Sequence, residues 1–240
     1  MIRTLWAFAA MTAATVWYGG IAIVDSLFEP RVEFYIRLTR GWARTILRAS
    51  DTPVVAHGLE NVKAGRPQVI VSNHVSWYDI FAIAGILPVP FHFVAKKELE
   101  KIPLFGRAWK TAGHISIDRS NRQKAVESLR HAGMEIRARN SAVIIFPEGT
   151  RSRTGRMQPF KKGAFMLAAE AGVPIVPTVV VGSFDIMRPD DWRIHPRTIH
   201  VYFGEPISEE PGETVEQLMG RVRDRMAAML EEVEALPPLD

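Results

Sequence analysis

The chain has 240 residues, 47% of them hydrophobic and 23% charged, which predicts a folded protein with a sizeable core and excludes a disordered chain. It contains no Cys, which excludes disulfides, thiolate metal sites and a Cys nucleophile. Residues 51–204 carry 21 Lys and Arg against 13 Asp and Glu, a net charge of +8, so we expect an anionic partner there: a nucleic acid, a phosphorylated metabolite or an anionic lipid.

The first predicted element is an apolar helix. Thr4–Val24 is a run of 21 residues without a charge, and as a helix it would match the roughly 30 Å hydrocarbon core of a bilayer. Trp6, Trp17 and Tyr18 lie toward its ends, where interfacial aromatic anchors prefer to sit. We interpret the run as a membrane-associating segment. The alternatives are a signal peptide and a buried core helix.

A second, amphipathic helix is predicted directly after it. Four Arg residues share one face of about 80°, and four apolar residues lie on the far side: Arg37, Arg40, Arg44 and Arg48 against Tyr35, Leu38, Trp42 and Ile46. This pattern is typical of a helix in a membrane interface and supports membrane anchoring. The alternative is an amphipathic helix packed on the domain with a solvated Arg face. Only Arg3 precedes the apolar run, so the positive-inside tendency places the following chain in the cytoplasm.

The body of the chain alternates short apolar runs with helical stretches. The predicted strands are Thr52–Ala56, Gln68–Ser72, Phe91–Ala95, His114–Ile117, Ala142–Phe146, Ile175–Val181 and Thr198–Phe203. The predicted helices are Tyr78–Leu87, Leu104–Thr111, Asn121–Arg137, Gly163–Ala171 and Thr214–Ala235. This alternation predicts an α/β fold with a mixed, partly parallel sheet flanked by helices. We divide the chain into an N-terminal hydrophobic and amphipathic helical pair, residues 1–50, and a globular domain, residues 51–240.

A cluster of polar side chains follows the predicted strand Gln68–Ser72 and reads NHVSWYD over residues 73–79. Strand ends of this kind carry the sites of α/β proteins. His is well suited to take a proton near neutral pH, and a carboxylate on its other ring nitrogen would orient it. Residues five apart diverge by about 140° on a helix, so a contact would place His74 on a turn and Asp79 near the first helical turn. The alternative is a helix-capping Asp beside an ordinary surface His.

A second cluster, FPEGTRS over residues 146–152, also follows a predicted strand. An Arg fork at such a turn suits bidentate phosphate binding, and backbone N–H groups near Gly149 could add donors. Arg153, Arg156 and Lys161 follow and make the loop basic. The alternative is a solvated loop. The chain has no G-x-S-x-G, P-loop or G-x-G-x-x-G pattern.

A third cluster, GHISIDR over residues 113–119, also lies at a predicted strand end, and two weaker signals are the pair Lys96-Lys97 and the run VPIVP over residues 173–177. Asp118 and Arg119 could form a structural pair as readily as a ligand contact. The seven His residues lack the spacing of metal ligands, so we expect no metal site. The basic residues lack interleaved aromatics and a known reader motif, so nucleic acid is disfavoured.

Four blocks in this order, NHVSWYD, GHISIDR, FPEGTRS and VPIVP, resemble the lysophosphatidic acid acyltransferase (1-acyl-sn-glycerol-3-phosphate acyltransferase) family. The stretches AKKEL and PFKKGAF, around Lys96 and Lys161, are also similar to it. The resemblance covers about residues 55–205, and the N-terminal hydrophobic helices fit it too. The family often has an aromatic residue where this chain has Ser116, a mild departure.

The resemblance implies a membrane-bound enzyme of phospholipid synthesis with its catalytic domain at the cytoplasmic face. An acyl chain would pass from a thioester donor to the free hydroxyl of 1-acyl-glycerol-3-phosphate, giving phosphatidic acid. His74 would be the general base and Asp79 its orienting partner. The implied substrate-binding residues are Lys96, Arg119, Glu148, Gly149, Thr150, Arg151 and Lys161. No cofactor is implied beyond the co-substrate, acyl-CoA or acyl-acyl carrier protein, and the implied partners are lysophospholipid, membrane lipid and acyl carrier protein.

Two alternatives stay open at this point. The same chemistry could act on another acceptor, such as glycerol-3-phosphate or a different lysophospholipid. The chain could also be a non-enzymatic lipid-binding membrane protein that uses its basic loops for anionic lipid. That reading accounts for the charge and the apolar segment, but it gives no reason for His74 and Asp79 at a strand end.

Overall fold

The computed structural model describes residues 1–28, 32–102, 105–118, 122–188 and 190–236. The helices are α1 Ile2–Asp25, α2 Val32–Ala49, α3 Tyr78–Ile86, α4 Phe105–Thr111, α5 Arg122–Arg139, α6 Gly163–Ala171, α7 Ser183–Ile186 and α8 Val215–Glu234. The strands are β1 Val54–His57, β2 Gln68–Ser72, β3 Phe91–Lys96, β4 Ile115–Ile117, β5 Ala142–Ile145, β6 Ile175–Val181 and β7 Ile199–Phe203.

The strands form one seven-stranded mixed sheet in the order β1-β7-β6-β2-β5-β3-β4. Strands β6, β2, β5, β3 and β4 run parallel to one another, whereas β7 is antiparallel to β6 and β1 is parallel to β7. The predicted α/β fold is therefore confirmed. β6, β2 and β5 are neighbours in the middle of the sheet, and their carboxyl ends lie side by side. In α/β folds, sites are commonly found at the carboxyl ends of such strands.

The apolar runs predicted the central strands because those strands are buried on both faces. Every residue of β2 and β5 is buried, which is the pattern of strands covered on both faces. Helices α1, α2 and α3 contribute to the core on one face of the sheet, and α5, α6 and α8 to the core on the other face. Helix α8 begins with a capping box in which the Thr214 hydroxyl accepts the Gln217 N–H.

Helix α1 lies along the globular domain. Near its start, the Thr4 hydroxyl accepts the backbone N–H of Ile194 at 3.2 Å. Further along, the Trp42 indole of α2 donates to the Thr15 hydroxyl at 3.0 Å. The predicted helical pair is therefore present and packs against the domain instead of standing apart from it.

The apolar stripe of α2 is buried inside the protein. Tyr35 and Ile46 are each 1% exposed, and on the other side Arg44 donates to the Gly85 carbonyl of α3 at 2.7 Å. Of the two environments considered for this helix, the structure therefore gives its apolar face to the protein core and not to a membrane interface.

Candidate active site

His74 lies on the turn between β2 and α3, and Asp79 lies in the first turn of α3. This is the arrangement that their five-residue spacing predicted. The His74 Nδ1 atom is 2.9 Å from Asp79 Oδ2. With Nδ1 engaged by the carboxylate, Nε2 is the ring nitrogen left to take a proton from a substrate.

The Asp79 carboxylate is completely buried and surrounded by donors. Its Oδ2 also accepts the backbone N–H groups of Val75 at 2.7 Å and Ser76 at 2.8 Å. Its Oδ1 accepts the hydroxyl of Ser183 at 2.5 Å. A buried charge needs partners of this kind, because burial without hydrogen bonds would disfavour the anion.

The His74 ring packs face to face on the ring of Phe146, with centroids 4.1 Å apart and an interplanar angle of 20°. Phe146 directly follows β5, the parallel neighbour of β2. The His74 side chain is only 12% exposed. The ring is therefore held between an aromatic face and a carboxylate, which leaves it little freedom to rotate.

Glu148 joins the β5 loop to the His74 turn. Its Oε1 accepts the His74 N–H at 2.8 Å, and its Oε2 accepts the Gln158 N–H at 3.1 Å. The Ser152 N–H adds a bond to the His74 carbonyl at 2.8 Å. Burial raises the pKa of the Glu148 carboxyl, and the two backbone N–H bonds oppose that rise. In this structure Glu148 braces the two loops that form the site.

We expect Glu148→Gln to lower the free energy of unfolding by about 1–3 kcal/mol, because an amide nitrogen cannot accept the backbone N–H that one carboxylate oxygen accepts. Thermal unfolding would measure the change. Glu170→Gln, at an exposed position of α6, is the matched control and should leave stability unchanged. Equal stability of the two variants would contradict the bracing role.

Arg151 lies over the indole ring of Trp77, with its guanidinium carbon 4.5 Å from the ring centroid. Trp77 belongs to the same turn as His74 and is 44% exposed. Burial lowers the pKa of Arg151, and attraction to Asp79 opposes that shift. The ring is a platform that holds the guanidinium near the dyad with its donors available to an anionic group.

The other predicted binding residues vary in position. Gly149 has φ 75°, a left-handed conformation that favours glycine, and its N–H donates to the Phe146 carbonyl at 3.1 Å, which closes the turn before Thr150. The Thr150 carbonyl accepts the Gln158 side-chain amide at 3.2 Å.

The predicted basic residues lie at separate positions. Lys161 is exposed, and its backbone N–H donates to the Pro147 carbonyl at 2.8 Å. Lys96 is exposed at the end of β3, where its register partner is Ile117 of β4. Arg119 lies outside the described residues.

Sequence reasoning did not identify two contacts that support the dyad. Ser183, in α7, reaches Asp79 from a position 104 residues later, and no local pattern marks it. Asn73 is the first residue of the motif at 73–79, and its residue type alone does not predict a role. Its side chain accepts from the Val180 N–H at 2.7 Å and donates to the Val180 carbonyl at 3.0 Å. Within the described part of the chain, no group of three or more His, Cys, Asp or Glu residues could hold a metal ion.

Comparison with known proteins places this geometry in a family. A family model described as "Acyltransferase" matches residues 53–181. A 1-acyl-sn-glycerol-3-phosphate acyltransferase of Cocos nucifera is 34% identical over 89% of this chain and 69% of its own length. The protein of that name from Pseudomonas aeruginosa is 32% identical over 87% of this chain and 82% of its own. The chain belongs to the 1-acyl-sn-glycerol-3-phosphate acyltransferase family.

A solved structure of the family agrees with the fold. The 1-acyl-sn-glycerophosphate acyltransferase PlsC from Thermotoga maritima has a TM-score of 0.85 and 26% identity, covering 99% of this chain and 97% of that one. Other relatives are longer, since the chain spans 63% of the Saccharomyces cerevisiae protein and 56% of the Limnanthes douglasii protein. The family match covers the turn of His74 and Asp79 and the loop of Glu148 and Arg151.

Proposed function

We propose that this acyltransferase moves an acyl chain from a thioester donor to the free hydroxyl of 1-acyl-glycerol-3-phosphate and so forms phosphatidic acid. The observation that carries the proposal is the 2.9 Å contact between His74 Nδ1 and Asp79 Oδ2, with Arg151 held beside it. A base and a phosphate-binding cation side by side suit an acceptor that carries both a hydroxyl and a phosphate.

The reaction proceeds by direct transfer. Nε2 of His74 takes the acceptor hydroxyl proton as that oxygen attacks the thioester carbonyl, and Asp79 stabilises the imidazolium that forms. The tetrahedral intermediate then breaks its C–S bond, and the imidazolium returns the proton to the leaving sulfur. The chain contains no Cys and no G-x-S-x-G pattern, which fits a route without an acyl-enzyme.

The acceptor and the donor are tested together with purified protein. Each of acyl-CoA and acyl-acyl carrier protein is offered with 1-acyl-glycerol-3-phosphate, glycerol-3-phosphate or a lysophospholipid with another head group, and products are analysed by lipid mass spectrometry. We expect phosphatidic acid as the main product. Turnover of another acceptor alone would replace the acceptor assignment, and no turnover of any acceptor would favour a non-enzymatic lipid-binding protein.

Arg151→Ala is expected to raise the acceptor KM by roughly 10-fold to 100-fold, because a charge-assisted bond to phosphate is lost. The donor KM should change little. Arg153→Ala, an exposed Arg in the same loop, is the matched control for charge. Steady-state kinetics at varied acceptor would show the difference. Equal acceptor KM values for Arg151→Ala and the unmodified protein would argue against phosphate binding by Arg151.

The outward face of α1 is the proposed membrane contact, and the catalytic domain is proposed to lie at the cytoplasmic face. Helix α1 is the one described helix long and apolar enough to cross a membrane. Its exposed large apolar side chains include Ile2, Leu5, Trp6, Val16, Trp17 and Val24. A contact with the globular domain holds it at Thr4 near its start, and a contact with α2 holds it at Ala22, whose carbonyl accepts the Tyr35 hydroxyl at 3.4 Å. A helix held at both ends would enter one leaflet side-on.

Replacing both Trp6 and Trp17 with serine is expected to weaken vesicle binding by roughly tenfold or more, because two large apolar side chains leave the membrane contact. Co-sedimentation with vesicles of phosphatidylcholine and phosphatidylglycerol measures this. Trp192→Ser, at an exposed Trp outside α1, is the control. If the double variant binds like the control, the membrane contact lies elsewhere on the protein.

A further inference from the structure

The carboxylate of Asp79 is supported on its second oxygen by a residue from a distant part of the chain. The Ser183 hydroxyl donates to Asp79 Oδ1 at 2.5 Å, whereas the His74 ring contacts Oδ2. Ser183 and Asp79 are both 0% exposed, so water cannot replace this bond. Without Ser183, Oδ1 would be a buried charged oxygen that had lost its donor.

The fold places the Ser183 hydroxyl by two further constraints. The side chain of Asn73, next to His74, makes two hydrogen bonds with the backbone of Val180, three residues before Ser183. Between them, Gly182 has φ 89°, and a Cβ there would lie 2.5 Å from the Thr198 carbonyl oxygen. The end of β6 is thereby tied to the His74 turn on one side and packed against the start of β7 on the other.

We propose that Ser183 is a positioning residue for acyl transfer, acting on His74 through Asp79. Its hydroxyl fixes the plane of the carboxylate so that Oδ2 faces the imidazole, and it draws part of the negative charge toward Oδ1. Ser183 does not touch the reacting atoms. The inference rests on the proposed function, since it needs His74 to act as a base.

The charged side chains near His74, Asp79 and Ser183 make other contacts and do not replace the hydrogen bond from Ser183 to Asp79. Glu148 engages the His74 backbone and not its ring. Arg151 acts on Asp79 through its charge and lies over Trp77. Asp185, also in α7, pairs with Arg188 and Arg197 at the surface. Among the described residues outside the His74 turn, Ser183 is therefore the one whose side chain donates a hydrogen bond to Asp79.

The test compares Ser183→Ala with Ser183→Thr, which keeps the hydroxyl. For Ser183→Ala we expect kcat to fall roughly 10-fold to 100-fold with the acceptor KM within about twofold. We also expect the acidic limb of the kcat/KM pH profile to move to higher pH, because the carboxylate charge facing the imidazole is no longer shared with a hydroxyl donor. Ser183→Thr should restore most of kcat and the original profile.

Thr178→Val is the matched control, since it removes a buried hydroxyl from β6 that bonds to the Val176 carbonyl and not to the dyad. It should leave kcat and the pH profile unchanged. Thermal unfolding checks that each variant is folded. Should Ser183→Ala be too unstable to assay, Ser183→Cys, with a weaker donor of similar size, carries the same expectation at smaller amplitude.

An unchanged kcat in Ser183→Ala would overturn the proposal. A loss of kcat without movement of the acidic limb would overturn it too, because that result describes only a structural role. Turnover by the unmodified protein in the same assay tests the proposed function separately. Active unmodified protein with an indifferent Ser183→Ala would therefore reject this inference alone.

Discussion

Replacing His74 with alanine is expected to lower kcat by roughly 10²-fold to 10⁴-fold, the usual contribution of a positioned general base. Folding should persist, because the Asp79 carboxylate keeps its bonds to Ser183 and to the backbone N–H groups of Val75 and Ser76. Formation of phosphatidic acid from 1-acyl-glycerol-3-phosphate, measured with saturating donor, gives the rate. Thermal unfolding and vesicle binding confirm that the variant is otherwise intact.

His195→Ala is the matched control for this variant. His195 is an exposed residue on the loop before β7 and pairs with Asp191 at the surface. Its removal should leave kcat unchanged. Turnover by His74→Ala within about threefold of the control would remove His74 from the role of base.

Asp79→Asn is expected to lower kcat by roughly 10³-fold, because the imidazolium that forms during the reaction loses its neighbouring negative charge. The fold can accommodate the amide. Its nitrogen can turn toward Ser183, whose hydroxyl can rotate to accept, while its oxygen keeps the bonds to His74 and the backbone. The loss should fall on kcat and leave the acceptor KM little changed, since Asp79 lies behind His74 and is fully buried.

The control for this substitution is Asp224→Asn, at an exposed position of α8. Both variants are assayed for kcat, acceptor KM and thermal stability. A folded Asp79→Asn protein that retains a tenth or more of normal kcat would show that the carboxylate charge is not needed. A loss confined to KM would place Asp79 in acceptor binding.

The sheet could be predicted because its strands are short and apolar, and its central strands β2 and β5 are buried along their whole length. β2, β5 and β6 are rich in Val and Ile, and each predicted strand is present within a few residues. Helix α7 could not be predicted, because its four residues are too few for a period of 3.6 to appear. The tertiary contact of Ser183 with Asp79, and not a local pattern, gives this short helix its importance.

For the two N-terminal helices, the sequence could predict the apolar faces but not what covers them. An amphipathic pattern records which face of a helix is apolar, but not whether protein or lipid covers that face. For α2 the cover is protein, since Ala43 is 0% exposed and Leu47 is 6% exposed. For α1 only its small residues, such as Ala7 and Ala14, are buried, and its Trp side chains face outward.

The contact between His74 and Asp79 was anticipated from their five-residue spacing together with the family resemblance, because the spacing alone left a helix-capping Asp beside a surface His as an alternative. The role of Glu148 was not, since its contacts with the backbone of His74 and Gln158 depend on the register of β2 and β5. The platform of Trp77 beneath Arg151 depends on the same two loops. Sequence spacing carries no information about such contacts between loops.

The central claim is that His74 sends the acceptor hydroxyl directly onto the thioester, and pre-steady-state thiol release tests it most directly. Purified protein is mixed with donor alone or with donor and 1-acyl-glycerol-3-phosphate, and free thiol and lipid product are followed from the first turnover. We predict that thiol appears only with acceptor and equals the phosphatidic acid formed. A burst of thiol equal to the enzyme concentration without acceptor, with acyl groups bound to protein, would contradict direct transfer.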